Sequence, residues 1–149
     1  MMYKKILIAT DGSELAGRAV AHGLKLAKEL KVPVVVVTVT RMWSALEIAH
    51  EARLAIANPI ERYQESAAAW AQRNLDPAGE QAKKAGVSFE LVHVPESAPA
   101  EGIIATAEKQ GCDLIVMASH GRRGVRRLVL GSQANEVLAY SKVPALIVR

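Results

Sequence analysis

Short apolar runs rich in β-branched residues alternate along this chain with longer stretches whose apolar positions recur every three or four residues. Lys4 to Thr10 (KKILIAT) is the first short run, and Asp11-Gly12-Ser13 ends it with a turn signal. From Glu14 to Leu30 the apolar positions Ala16, Val20, Leu24, Ala27 and Leu30 follow a helical period. Ser13 stands where an N-cap is expected. Val32 to Thr40 (VPVVVVTVT) predicts a buried strand, because its branched side chains would crowd a helix and Pro33 falls at its start. Val87 to Val94 alternates and predicts another strand. Pro99 to Gln110 predicts a helix that begins near Ser97 or Ala98 and is closed by Gly111. Asp113 to Ala118 (DLIVMA) is a further buried strand, followed by a polar loop from Ser119 to Gly124. A helix over Ser132 to Ser141 and a strand over Ala145 to Val148 complete the series.

Arg41 to Ala85 follows no such simple pattern. Its composition is helical, most clearly from Glu61 to Arg73, and Pro59 and Pro77 interrupt it. Asn58-Pro59 has the form of a turn and a new helix start. Asp76-Pro77 suits either an N-cap with proline at the first helical position or a kink within one long helix. Gly86 is placed to end the helical region.

Strands separated by helices imply right-handed crossovers and a parallel sheet. The 149 residues suit a single domain over 1–149. Half of the residues are hydrophobic and only 4% are aromatic, so the core is expected to be built of Ala, Val, Leu and Ile. In open parallel sheets ligands bind beyond the strand carboxyl ends, where the strand order reverses. The loops after the strands therefore carry the interest: Asp11 to Ser13, Val39 to Met42 and Ser119 to Gly124.

The last of these is the richest in chemistry. Gly121 and Gly124 follow a buried strand, and Gly131-Ser132 opens the next helix. Glycines let backbone N–H groups approach an anion, and a helix start favours phosphate. On spacing alone a phosphate cradle and a plain structural turn are both open. Asp11 likewise suits either a ligand contact or the closing of its own turn.

The net charge of +4 is matched by Arg122, Arg123, Arg126 and Arg127, so the excess belongs to one loop. Such a loop suits a small anion at least as well as a polyanion. The aromatic residues that single-strand nucleic-acid binders interleave with basic ones are lacking there. Cys112 is the single cysteine, which excludes an intramolecular disulfide and predicts a small inert hydrophobe. His22, His50 and His93 show no metal-ligand spacing with Cys112. Trp43 and Trp70 are expected to be packing or interface residues. With no apolar run near the ~18 residues of a membrane span and no signal-peptide core at the start, a cytoplasmic, reducing compartment is expected.

The segment Ala118-x2-Gly121-x9-Gly131-Ser132 resembles the Gly-x2-Gly-x9-Gly-Ser/Thr signature of ATP-binding universal stress proteins. The opening KKILIATDGSE and the run PAEGIIATAEKQGCDLIVMASHG are similar to the same family, and the likeness spans nearly the whole chain. It implies a flavodoxin-like α/β fold, a three-layer sandwich with a five-stranded parallel sheet in the order 3-2-1-4-5. It also implies a homodimer, with an unknown protein partner downstream; Ala145 to Val148, as an apolar edge strand, is the expected place of pairing. The ligand implied is ATP, ADP or AMP, with Mg²⁺ as companion ion, acting as a regulatory signal in stress response. Carried onto this chain, Asp11 would read the adenine edge with Ala9 and Thr10 beside it. Val39 would pack on the base, and Gly121, Gly131 and Ser132 would hold ribose and phosphates. His120, Arg122 and Gly124 are their neighbours. Ala118 departs from the signature by placing a methyl group where a glycine is the rule. No Gly-Lys-Ser/Thr occurs, so the chain is not a P-loop ATPase, and any hydrolysis is expected to be slow. A ligand-free interaction module is the competing expectation.

Overall fold

The computed structural model describes residues 2–54, 58–121 and 129–149, apart from the side chain of residue 51. Five strands alternate with helices: β1 (Ile6–Ala9), α1 (Glu14–Leu30), β2 (Val34–Val39), α2 (Ala45–Arg53), α3 (Pro59–Ala85), β3 (Phe89–Val94), α4 (Pro99–Lys109), β4 (Leu114–Ala118), α5 (Ser132–Tyr140) and β5 (Ala145–Val148). The sheet order is β3-β2-β1-β4-β5, and all four pairings are parallel. This is the expected α/β topology.

Helices cover both faces, which explains why the central strands are apolar at nearly every position. Ile6 and Ile8 of β1 face α1 and α3, packing with Val20, Leu24, Leu75 and Ala78. Leu7 and Ala9 face α4 and α5, with Ile103, Ala107, Ala134 and Val137. The outer strands β3 and β5 are half-buried. Small residues bring the helices close: a Cβ on Gly23 would stand 2.7 Å from Cδ1 of Ile8 and 2.8 Å from its Cγ1.

The uncertain middle of the chain resolves into two helices. Ser44 and Glu47 form a reciprocal capping box at the start of α2. Pro59 occupies the first turn of α3, whose N-cap Asn58 accepts from Glu61 N. Pro77 lies inside α3, so Asp76-Pro77 does not begin a helix. The packing of Leu75, Ala78 and Ala82 on the sheet carries α3 through the missing hydrogen bond. Gly86 ends it in the left-handed conformation at φ 72°. Ser13 caps α1 by accepting from Ala16 N at 3.1 Å. Among the described residues no helix is long and apolar enough to cross a membrane.

At the amino-terminal edge of the sheet, Asp113 joins β1 to β4. Its carboxylate accepts from Lys4 N and Lys5 N at 2.9–3.1 Å, and its own N–H donates to Lys5 O at 3.0 Å.

Gly23→Val tests the tight contact of α1 on β1. The added branched side chain overfills the space beside Ile8, and the expected loss is about 1–3 kcal/mol of unfolding free energy, read from urea denaturation. Wild-type stability would contradict this packing.

Candidate functional site at the carboxyl edge of the sheet

Neighbouring strands β1 and β4 send their chains outward to opposite sides of the sheet, β1 through α1 to β2 and β4 through α5 to β5. A cleft opens where they part. The end of β1 is held firmly. Thr10 N donates to Val37 O at 2.9 Å, and the buried Thr38 hydroxyl donates to Thr10 O at 2.6 Å. Beyond it the chain turns through Gly12 at φ 77°. Gly12 N donates to Thr10 Oγ1 at 3.2 Å, and Ser13 N donates to Asp11 Oδ1 at 2.9 Å. One carboxylate oxygen of Asp11 thus closes its own turn, as the turn reading expected.

The other oxygen faces the β4 loop. A Cβ on Gly121 would lie 2.6 Å from Asp11 Oδ2. Residue 121 therefore has no room for a side chain while Asp11 keeps this position. Gly131 is excluded from bearing one for a different reason: its Cβ would lie 2.6 Å from the backbone oxygen of Ser119. The Gly131 N–H donates to that same oxygen at 2.8 Å. Spacing left a phosphate cradle and a structural turn both open here; this N–H fastens the start of α5 to the end of β4. As the N-cap residue, Gly131 offers no side chain to the first N–H groups of α5, so the donors of that helix start begin at Ser132.

These elements enclose a cavity of about 140 Å³ at the carboxyl ends of β1, β2 and β4. Seven of the residues singled out in the sequence line it: Ala9, Thr10, Asp11, Val39, Ala118, His120 and Gly121. Gly131 and Ser132 stand at the adjacent start of α5 and outside the lining. Arg122 and Gly124 lie outside the described residues. The sequence did not single out Ala16, Val37, Pro99, Ile103, Met117 or Gln133, which complete the wall. Val37 and Met117 were legible only as strand residues, since nothing in their spacing says which core position reaches the cleft. Gln133 carries no signal at all. Its Oε1 accepts from Ala100 N at 2.9 Å, doing for α4 what its N-cap residue Ala98 has no side chain to do.

The cavity joins an apolar slot to a polar rim. Val39, Ile103 and Met117 form the slot. It is narrow because α4 approaches β2 closely: a Cβ on Gly102 would stand 2.9 Å from Val39 Cγ2. Asp11 and His120 lie on the rim, with the Ser119 hydroxyl 3.1 Å from His120 Nδ1. Ala118 is buried as the last residue of β4, paired with Val148 of β5, and its methyl group forms part of the cavity wall. Such a lining, apolar on its walls and polar at its rim, is of the kind that binds small molecules.

Away from the cleft, burial holds the His93 pKa below its ordinary value, and His93 Nε2 sits 2.8 Å from the Thr40 hydroxyl. Cys112 is buried, and desolvation pushes its thiol up to about 11. It is therefore protonated and unreactive at neutral pH. Trp43 packs on Tyr63 with ring centroids 4.5 Å apart.

A doubly wound parallel sheet with a cleft between diverging β1 and β4 defines the class of this protein. Residues 2–149 match the Universal stress protein family, and the chain belongs to that family. Universal stress protein MJ0531 of Methanocaldococcus jannaschii is 32% identical over 99% of this chain and 83% of its own length. The solved structure of protein MJ0577, a universal stress protein of the same organism, superimposes with a TM-score of 0.77 at 28% identity, covering 99% of this chain and 96% of that one. A universal stress protein solved in complex with cAMP shares the fold, with a TM-score of 0.68 at 23% identity over 100% of this chain and 98% of that one.

Gly131→Ala tests the close approach of α5 to β4. The new methyl group meets backbone that cannot turn aside, so a loss of about 1–3 kcal/mol is expected, measured by chemical denaturation. An unchanged midpoint would mean that this contact is looser than described.

Proposed function

We propose that this protein binds ATP or a related adenine nucleotide in the cleft between β1 and β4, as a regulatory ligand in stress physiology. The observation that carries the reading is the pairing of an apolar slot with the Asp11 carboxylate at the switch point of the sheet. In this reading the base enters between Val39 and Met117 and presents its edge to Asp11. The ribose and phosphates lie toward Gly121 and Ser132. The cAMP complex of a protein with this fold agrees with a nucleotide of this size and chemistry.

Among the described residues Asp11 is the one carboxylate lining the cavity, and one of its oxygens already accepts from Ser13 N. Mg²⁺ commonly binds through substrate phosphates, one or two carboxylates and water. It would thus arrive with the nucleotide phosphates. Without a P-loop lysine, any hydrolysis is slow, and the bound nucleotide serves as a signal. It acts by favouring one state of the loops or of the dimer, to the extent that it binds that state more tightly. The chain works as a single domain in the cytoplasm and reports to a protein partner.

Direct titration tests the site. The stripped protein is expected to bind ATP in the micromolar range, and Asp11→Ala to weaken binding by about tenfold or more, as removal of a charged hydrogen-bonding partner does. Ala118→Gly is expected to tighten it by relieving the cavity wall. Absence of binding in the wild type would mean instead that Ala118 marks a lost site and that the protein is a ligand-free interaction module.

Dimerisation through β5 is the second part of the proposal. This strand is a half-buried apolar edge, and Leu138 and Tyr140 of the preceding helix are exposed beside it. Such edges invite pairing with another chain, and two copies can pair about a two-fold axis. Sedimentation is expected to give a dimer at micromolar concentration, and a monomer there would count against the pairing.

A further inference from the structure

A second cavity lies on the opposite face of β1, in the groove between α1 and α3. Its volume is about 440 Å³. Thr10, Gly12 and Ser13 form its upper end, Trp70, Arg73 and Asn74 its α3 wall, and no carboxylate is among its lining residues. Asn74 is the informative member. It occupies the core-facing side of α3 among Ala71, Leu75 and Ala78, only 8% exposed. Its Nδ2 is buried and has no hydrogen-bond partner among the described residues. Buried donors are almost always satisfied, and one that is not weakens the folded state. A ligand that brings acceptor oxygens into the groove would answer it.

The surroundings say what kind of acceptor. Arg73, one residue away, forms no ion pair among the described residues. Ser13 adds a hydroxyl whose oxygen already accepts from Ala16 N, leaving its hydrogen to donate. Trp70 and Arg73 also border a neighbouring cavity of about 410 Å³, to which Arg41 adds a second guanidinium. The groove thus combines a buried amide donor, a hydroxyl and the Arg73 guanidinium. Asp11 belongs to the other cavity and not to this one.

We infer that the groove between α1 and α3 is a second ligand site, which takes the oxyanion of a small metabolite through Asn74 Nδ2 and the Arg73 guanidinium. Phosphate and carboxylate groups share the required chemistry: several acceptor oxygens and negative charge for the fork of Arg73. The site does not depend on the nucleotide reading, because Arg73 and Asn74, which carry it, do not line the Asp11 cleft.

Trp70 supplies the test. In Trp43→Phe it is the one remaining tryptophan, and its emission can be followed while inorganic phosphate, or separately citrate, is added at constant ionic strength against chloride. A saturable change with phosphate or citrate, with a midpoint at least tenfold below any chloride effect, is expected; which of the two binds identifies the group. Arg73→Gln and Asn74→Leu should each raise the midpoint tenfold or more. Asn74→Leu should also raise Tm by roughly 2–4 °C, since it removes an unanswered donor. The ATP affinity of the Asp11 cleft is titrated separately from the phosphate and citrate midpoints, so failure of the nucleotide cleft and failure of this site are distinguishable. If Trp43→Phe does not fold, the ligand-induced Tm shift of the wild-type chain gives the same comparison. The inference is overturned if neither anion saturates, if Arg73→Gln binds as well as wild type, or if Asn74→Leu lowers Tm.

Discussion

The parallel pairing of β1 with β4 is the constraint on which the rest of the structure depends. Ile6, Leu7 and Ile8 lie beside Leu114, Ile115 and Val116, residues brought together from the two ends of the chain. The Asp113 carboxylate fastens one end of the pair to the backbone of Lys4 and Lys5. At the other end the two strands must part, because one continues to β2 and the other to β5. The cleft follows from that divergence, and the residues after each strand become its two walls.

Close approach is what shapes these walls. Gly121 leaves room for the Asp11 carboxylate, Gly131 for the Ser119 carbonyl, and Gly102 for Val39. Each glycine stands where a side chain would strike a neighbour at under 3 Å. Two of them belong to the motif that resembles a phosphate-binding signature. Their first duty in this chain is steric: they bring the β4 loop and the start of α5 against the end of β1. Hydrogen bonds then hold the polar edge in place, through Thr38 to Thr10, Ser13 to Asp11 and Gln133 to Ala100. A site preorganised in this way gives a ligand little to reorder on entry.

The two faces of β1 differ in chemistry although they share the turn after it. Toward α4 and α5 the turn presents Asp11 to an apolar slot. Toward α1 and α3 it presents Gly12 and Ser13 to a groove lined by Arg73 and Asn74. A single tight turn therefore borders one cavity with an acid and another with cationic and amide donors. The family relationship establishes the fold; both cavities are described from this chain's own residues.

Much of the fold was legible along the chain because its signals are local. The branched run of β2, the helical period of α1, the Ser13 cap, the Asn58-Pro59 start and the Gly86 stop each depend on residues a few positions apart. The motif from Ala118 to Ser132 and the acid Asp11 pointed, for the same reason, to the carboxyl edge of the sheet, where a cavity lies. Tertiary structure decided what depends on residues far apart. It carried α3 through Pro77, because packing on the sheet outweighed a lost hydrogen bond. It bound the Gly131 N–H to Ser119, and it brought Gln133 to α4. It also buried Asn74 with an unanswered donor, since only the docking of α3 against α1 and the sheet determines which of its polar residues lose contact with water.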